Sequence, residues 1–223
     1  MRARRGVVLG WLVVAAYAAA LVFATVTTRD GAPRSADRGG DRSAAEDLVE
    51  AWERSRTATF VRLATFERRS DVTGSAIGSE DVLAQRPPRR IHRQLGGVDG
   101  RDDRREVLCP AAPAGTDPLP CTFEKAGGRT YAEDVAAEVD GLRSLVTGPD
   151  RIYAVAGGRV EGCFDLSQLR PDPRVPFGVD AQLCFDQETG APANSRIRYA
   201  GGIVEVIAVT DIRSEVTEAD LRP

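Results

Sequence analysis

The feature that most constrains the fold is a series of short apolar or alternating runs whose connections are too short to hold a helix. From Ala58 onward these runs read TFVRLATFER, SEDVLAQR, RRIHRQLG and REVLC, with DVTGSAIG and GGVDGRDD as two of the connections. Alternation with period two is typical of strands. Parallel neighbours need a crossover of a dozen or more residues, so the sequence predicts an antiparallel meander of about four strands.

Two amphipathic helices accompany the strands, one before the first run and one after the fourth. The first is predicted over residues 43–59, where Ser43 and Glu46 have the spacing of a capping box, and the second begins at Thr130 with Glu133 and ends near Gly148. Five more strand-like runs follow: RIYAVA, RVEGCFDL, DAQLCFD, SRIRYAG and GIVEVIAVTDI. The predicted fold class is α+β, with one curved antiparallel sheet packed on a helical layer.

The N-terminal segment predicts a membrane location. Residues 6–28 contain no charged side chain, and arginines occupy three of the five positions before them. As a helix the segment would be about 35 Å long, enough for a hydrocarbon core of about 30 Å. The flanking arginines predict a cytoplasmic N-terminus, a single pass through the cytoplasmic membrane and an extracytoplasmic C-terminal domain. A cleaved secretory signal is the alternative. The predicted divisions are a cytoplasmic N-terminus (1–5), an anchor (6–28), a flexible linker (29–42) and the extracytoplasmic domain (43–223).

The charge of the exported part argues against two classes of partner. Past residue 28 the chain has 26 Arg, one Lys and 33 acidic residues, a net charge of −6. Nucleic acid and anionic membrane surfaces both attract basic proteins. We therefore expect no nucleic-acid partner.

The four cysteines, Cys109, Cys121, Cys163 and Cys184, all lie in the exported part. Disulfides persist in such a compartment, and of the three possible pairings we favour Cys109 with Cys121 and Cys163 with Cys184, because each closes a short loop. A zinc site lacks both a C-x-x-C pair and a second histidine. No metal and no cofactor are predicted.

Little in the sequence points to catalysis. It has no G-x-S-x-G turn, no H-E-x-x-H and no phosphate loop, and its one histidine, His92, lies in an alternating run typical of an ordinary half-exposed strand residue. The aspartates of GVDGRDD are interpreted as a solvated hairpin tip, and the RPPRR run as a break at a sheet edge. We expect a protein that is not an enzyme, although a pair of carboxylates brought together by the fold stays an open alternative.

One strand is apolar on both of its faces. In TFVRLATF, Phe60, Ala64 and Phe66 alternate with Val61 and Leu63. Such a strand must be covered twice. Two interpretations stay open: a helix on one face with a loop or partner on the other, or a half-open barrel whose concave side holds an acyl chain or an apolar peptide.

The segment CFDQETGAPANSRIRY, together with the element order, resembles the LolA-type lipoprotein-carrier superfamily, which includes RseB-type sensors and mycobacterial lipid-binding lipoproteins. The matching features are a strand ending at Asp186, a turn at Thr189 and Gly190, Pro192 shortly after, and a strand returning near Arg196. The resemblance implies a curved half-open barrel with a cavity for acyl chains. Asp186 and Asn194 are themselves interpreted as turn residues.

These observations together predict a membrane-anchored binding module for a lipid, a lipoprotein or an apolar segment of a partner. The alternative is a regulatory or sensor domain that interacts with a membrane protein such as an anti-sigma factor. Strand alternation supplies the candidate cavity lining: Phe60, Leu63, Phe66, Ile91, Leu95, Phe185, Ile197 and Tyr199.

Overall fold

A computed structural model describes residues 42–111, 120–125, 127–172 and 176–223. The predicted anchor lies outside these residues, as does the linker up to residue 41. No helix among the described residues is long and apolar enough to cross a membrane. The elements in chain order are α1 (Arg42–Thr57), β1 (Phe60–Ser70), β2 (Ala76–Arg86), β3 (Arg89–Gln94), β4 (Gly97–Asp102), β5 (Arg105–Cys109), β6 (Thr122–Lys125), α2 (Tyr131–Val146), β7 (Tyr153–Gly157), β8 (Cys163–Gln168), β9 (Asp180–Phe185), β10 (Pro192–Arg198) and β11 (Ile203–Arg213).

The described strands form one curved, open antiparallel sheet in the order β6-β5-β4-β3-β2-β1-β11-β10-β9-β8-β7. It consists of two meanders, β1 to β6 and β7 to β11, joined where β1 pairs with β11. The predicted α+β class and antiparallel arrangement are confirmed. The prediction of about four strands before α2 was wrong, because β4 and β6 also belong to the sheet.

Both helices pack on the same face of the sheet, which we call the inner face. Their apolar sides enclose the main core with residues of β7, β8 and β9, such as Tyr153, Leu166 and Leu183. The capping box of α2 forms as predicted: Thr130 Oγ1 accepts from Glu133 N, and the Glu133 carboxylate accepts from Thr130 N.

The outer face of the first meander is covered by the C-terminal segment that follows β11. Val61, buried on that face, packs in a small cluster with Leu221, which is itself 1% exposed. Arg86 and Arg89 hold this segment through ion pairs to Glu218. The RPPRR run thus fastens the C-terminus, and β1 is apolar on both faces because the tail covers its outer side.

The two favoured disulfide pairings are confirmed. Cys109 at the end of β5 bonds to Cys121 just before β6, and Cys163 on β8 bonds to Cys184, its direct partner across β9. Each bond ties two neighbouring strands. The second bond joins two strands of the sheet half that carries the main core.

Candidate functional site

A cavity of about 220 Å³ lies between α1 and the inner face, close to the β1–β11 junction; we call it the central cavity. Residues of α1 and of β1, β2, β3, β9, β10 and β11 surround it, together with the loop before β9. Its lining is Trp52, Ser55, Arg56, Arg62, Leu83, Arg90, His92, Phe177, Leu183, Cys184, Phe185, Pro192, Ala193, Ser195, Ile197 and Ile207. Aliphatic and aromatic groups therefore meet three arginines and the histidine in one space.

The strand register explains how these side chains come together. Residues paired directly across antiparallel strands share a face. Arg62 pairs with Leu83 and Leu83 with His92, so these three side chains form one row across β1, β2 and β3. Ile207, Ser195 and Leu183 form a second row across β11, β10 and β9. Arg62 pairs with Ile212 and Ile207 with Phe66, so the two rows end four positions apart along β1.

One wall of the central cavity is aromatic. The Trp52 ring lies edge-on to Phe177 at 5.8 Å and to Phe185 at 6.4 Å between ring centroids. Arg56, one helical turn after Trp52, places its guanidinium carbon 5.9 Å from the Trp52 ring centroid. The indole of α1 is thus held between the sheet and a cation.

Behind the cavity lies a buried ionic network centred on Asp81, which is fully buried on β2. Its carboxylate forms an ion pair with Arg62, accepts from Gln94 Nε2 at 2.7 Å and lies 3.3 Å from His92 Nε2. Burial by itself raises the pKa of Asp81, but the bond to His92 and the charge of Arg62 outweigh it and lower the pKa below its usual value. The carboxylate is therefore ionised at neutral pH.

His92 is partly exposed, as predicted, but it belongs to this network and is not an ordinary strand residue. Its Nε2 faces Asp81, and its Nδ1 lies 3.3 Å from Asp99 Oδ1. Burial favours the neutral ring, yet the bonds to the two carboxylates raise the pKa of His92 above its usual value. No three His, Cys, Asp or Glu side chains of the described residues are arranged to hold a metal ion.

A second, strongly charged cavity of about 440 Å³ lies beside the first, between α2 and β4. Arg56 and Arg90 line both cavities. Arg56 donates two hydrogen bonds of 2.6 Å to the Glu138 carboxylate, which fixes α1 to α2. The second cavity has four arginines and four acidic residues in its lining, so its formal charges balance.

The eight predicted lining residues occupy different places in the fold. Phe185 and Ile197 line the central cavity. Phe60 is fully buried in a separate small cluster, and Phe66 is buried farther along the inner side of β1. The phenol of Tyr199 donates to Glu205 at 3.0 Å beyond the end of β10.

The remaining three lie away from the cavity. The register places Leu63 and Ile91 on the outer face, and Leu95 is exposed in the turn after β3 with φ of 52°. Sequence reasoning missed Trp52, the row around Leu83 and His92, and the β9–β11 row around Ile207. Trp52 lay on the apolar side of the predicted first helix, which was the available signal.

The hairpin between β9 and β10 has only part of the predicted turn chemistry. Asp186 Oδ1 accepts from Thr189 N at 2.7 Å and from Thr189 Oγ1 at 2.6 Å, as a turn residue should. Asn194 was assigned to the turn wrongly: it lies in β10, where its Oδ1 accepts from Val209 N at 2.8 Å. This bond satisfies an amide of β11 next to the irregularity in its pairing with β1.

The interpretation of the GVDGRDD aspartates was also incomplete. Asp99 is not at a hairpin tip but in β4, opposite His92. Only the last part of the run, at Asp103 and Arg104, forms the turn into β5. The carboxylate of Asp99, which helps to raise the pKa of His92, therefore comes from a segment interpreted as a solvated connection.

No family model and no curated protein matches the chain. Among solved structures, it is similar to the Pseudomonas aeruginosa MucA/MucB complex (17% identity, TM-score 0.46, covering 81% of this chain and 61% of that one) and to MucB (20%, 0.41, 83% and 64%). It is also similar to a LolA superfamily protein from Nitrosomonas europaea (9%, 0.33, 81% and 98%). The chain spans about three fifths of the first of these. The likeness agrees with the resemblance drawn from the sequence; it extends to the fold and no further.

Proposed function

We propose that the described domain is a non-catalytic binding module that takes up an apolar ligand in the central cavity: a lipid, the acyl part of a lipoprotein, or an apolar segment of a partner. The observation that carries the proposal is the cavity itself, because side chains such as Phe185, Ile197 and Ile207 line an open space instead of filling it. Pockets for small ligands have this character, with mostly apolar walls and a few placed polar groups.

The size of the cavity adds a requirement. At about 220 Å³ it is smaller than the roughly 300 to 1,000 Å³ of established ligand pockets. A ligand larger than a short chain would have to displace the α1 wall, where Trp52 packs edge-on to Phe177 and Phe185. Binding should therefore change the surroundings of the Trp52 indole.

The same proposal places the domain outside the cytoplasm, attached to the membrane by residues 6–28. Two disulfides support an oxidising compartment, where such bonds persist. The absence of a catalytic role is part of the proposal and is supported by His92, whose two nitrogens both face carboxylates.

Uptake of an uncharged apolar probe by the delipidated full-length chain tests the proposal. Ile197→Glu puts a charge into the cavity wall, whereas Leu63→Glu puts the same charge on the exposed outer face of β1. We expect the parent chain and Leu63→Glu to bind the probe and Ile197→Glu to lose binding.

Two outcomes would count against the proposal. If the parent chain takes up no probe and mass spectrometry finds no co-purified lipid, the domain does not bind an apolar ligand. Equal loss of uptake in both variants would show that the probe does not bind specifically in the central cavity. If no probe binds while Ile197→Glu still crosslinks to a membrane partner that the parent chain captures, the regulatory alternative would replace the binding module.

A further inference from the structure

The central cavity has a one-sided charge. Three arginines and His92 contribute to its lining, and no aspartate or glutamate does, although the whole chain carries more acidic than basic residues. Most of these cations have partners behind the wall: Arg56 pairs with Glu138 and Arg62 with Asp81. His92 lies between two carboxylates. Arg90 is the exception.

Arg90 makes no hydrogen bond and no ion pair within the described part of the chain. Its Nε is enclosed and has no hydrogen-bond acceptor, and the residue lines both cavities. Burial and the nearby charge of Arg56 lower the pKa of Arg90 to about 10, although the charges of Asp99 and Glu138 act in the opposite direction. A guanidinium remains charged at neutral pH even so. Arg90 is only partly buried, and because it makes no hydrogen bond of its own, its donors are available to a ligand in the cavity.

Two further unpaired donors belong to residues that line the central cavity. Among the described residues, the enclosed side-chain nitrogens and oxygens without a hydrogen-bond partner are Trp52 Nε1, Arg62 Nε and Arg90 Nε. All three belong to residues that line the central cavity. Buried donors are almost always satisfied in folded proteins, so three unsatisfied donors in the residues of one cavity wall favour an occupant that carries acceptors. All three atoms are donors, so the occupant must supply oxygen lone pairs.

We propose that the central cavity binds an anionic amphiphile: a single acidic oxygen group, carboxylate or phosphate monoester, held by Arg90, with its apolar chain against Phe185, Ile197 and Ile207. This rests on the proposed function and names the chemistry of its ligand. The planar guanidinium can donate two parallel hydrogen bonds to either group. Because Arg90 lies where the cavities meet, the head group sits toward the charged cavity and the chain toward the aromatic wall.

Trp52 fluorescence can report binding to the full-length chain. Trp11 is the other tryptophan, so Trp11→Phe leaves Trp52 as the sole fluorophore. Decanoate, decyl phosphate and decanol share one chain length, and only the first two are anions. All titrations use delipidated protein at one concentration of a nonionic detergent, so that partition into micelles is common to every variant.

We expect decanoate and decyl phosphate to bind about ten to a hundred times more tightly than decanol, since hydrogen bonds to charged groups supply that much discrimination. The ratio of the two anions tells which head group is preferred. Arg90→Gln should bring both anions close to the decanol value and leave decanol unchanged. Arg196→Gln, on the exposed outer side of β10, should keep the parent preference.

The outcomes separate the two proposals. Equal binding of decanol and the anions, or a charge preference that survives in Arg90→Gln, would overturn the anion site while leaving an apolar cavity in place. Failure of all three compounds to bind would instead overturn the proposed function. The near-ultraviolet circular dichroism of Arg90→Gln shows whether the variant is folded, and retained decanol binding gives the same information at the cavity.

Discussion

Removing the charge of Asp81 should destabilise the domain more than any surface change, because the carboxylate is fully buried and serves three donors. Asp81→Asn keeps the shape but leaves Arg62, which is 4% exposed, without its counter-charge. Breaking one side of a buried ion pair costs about 3 to 5 kcal/mol. For a domain of this size that corresponds to a fall in Tm of roughly 6 to 20 °C.

The measurement is urea unfolding followed by far-ultraviolet circular dichroism with the disulfides intact. Asp211→Asn is the matched control, because Asp211 is an exposed residue of β11. This change should alter the free energy of unfolding by less than about 0.5 kcal/mol. Replacing both partners, as in Arg62→Met with Asp81→Leu, should recover most of the loss, since no unpaired charge remains. A loss below about 1 kcal/mol for Asp81→Asn would show that the charge of Asp81 does not stabilise the domain.

Three further predictions follow from the same contacts. Because the pKa of His92 is raised in the folded state, His92 contributes its full stabilisation below about pH 6.5 and loses it as the pH rises through the folded pKa. The pKa values of Asp81 and Asp99 are lowered, so these carboxylates contribute their full stabilisation above about pH 4 and lose it in acid. Urea midpoints should therefore be highest between those limits, and His92→Gln should flatten the alkaline decline; an unchanged decline would contradict this. Leu221→Ala should lower the free energy of unfolding by about 2 to 5 kcal/mol by opening the outer-face cluster, and a loss under 1 kcal/mol would show that the tail does not seal that face. Arg90→Met should raise Tm in the absence of ligand because it removes an enclosed, unpaired cation; a lower Tm would assign Arg90 a structural role instead.

The local sequence pattern was sufficient to predict most helices and strands. It failed where a glycine allows two strands to approach closely. The GGVDGRDD segment looks like a turn, yet Gly97–Asp102 is β4. A Cβ on Gly100 would lie 2.6 Å from Arg90 O and from Ile91 Cδ1, so the neighbouring strand approaches too closely for any side chain. The glycine that suggested a loop is the residue that lets the strand pair.

Alternation predicted which residues share a face but not which face lies toward the helices. Strand alternation placed Ile91 toward the cavity, whereas the pairing of Leu83 with His92 turns His92 inward and Ile91 outward. An apolar outer residue is stable there because the C-terminal segment, about 130 positions later, binds over the same face through contacts such as that of Arg89 with Glu218. Burial by so distant a segment cannot be predicted from the local sequence.

The most direct test of the account is native mass spectrometry of the delipidated full-length chain with decanoate added. We expect one bound molecule per chain for the parent and for Leu63→Glu, and none for Ile197→Glu. A parent chain that binds none, or an Ile197→Glu variant that binds as the parent does, would contradict the claim that the central cavity is a ligand site.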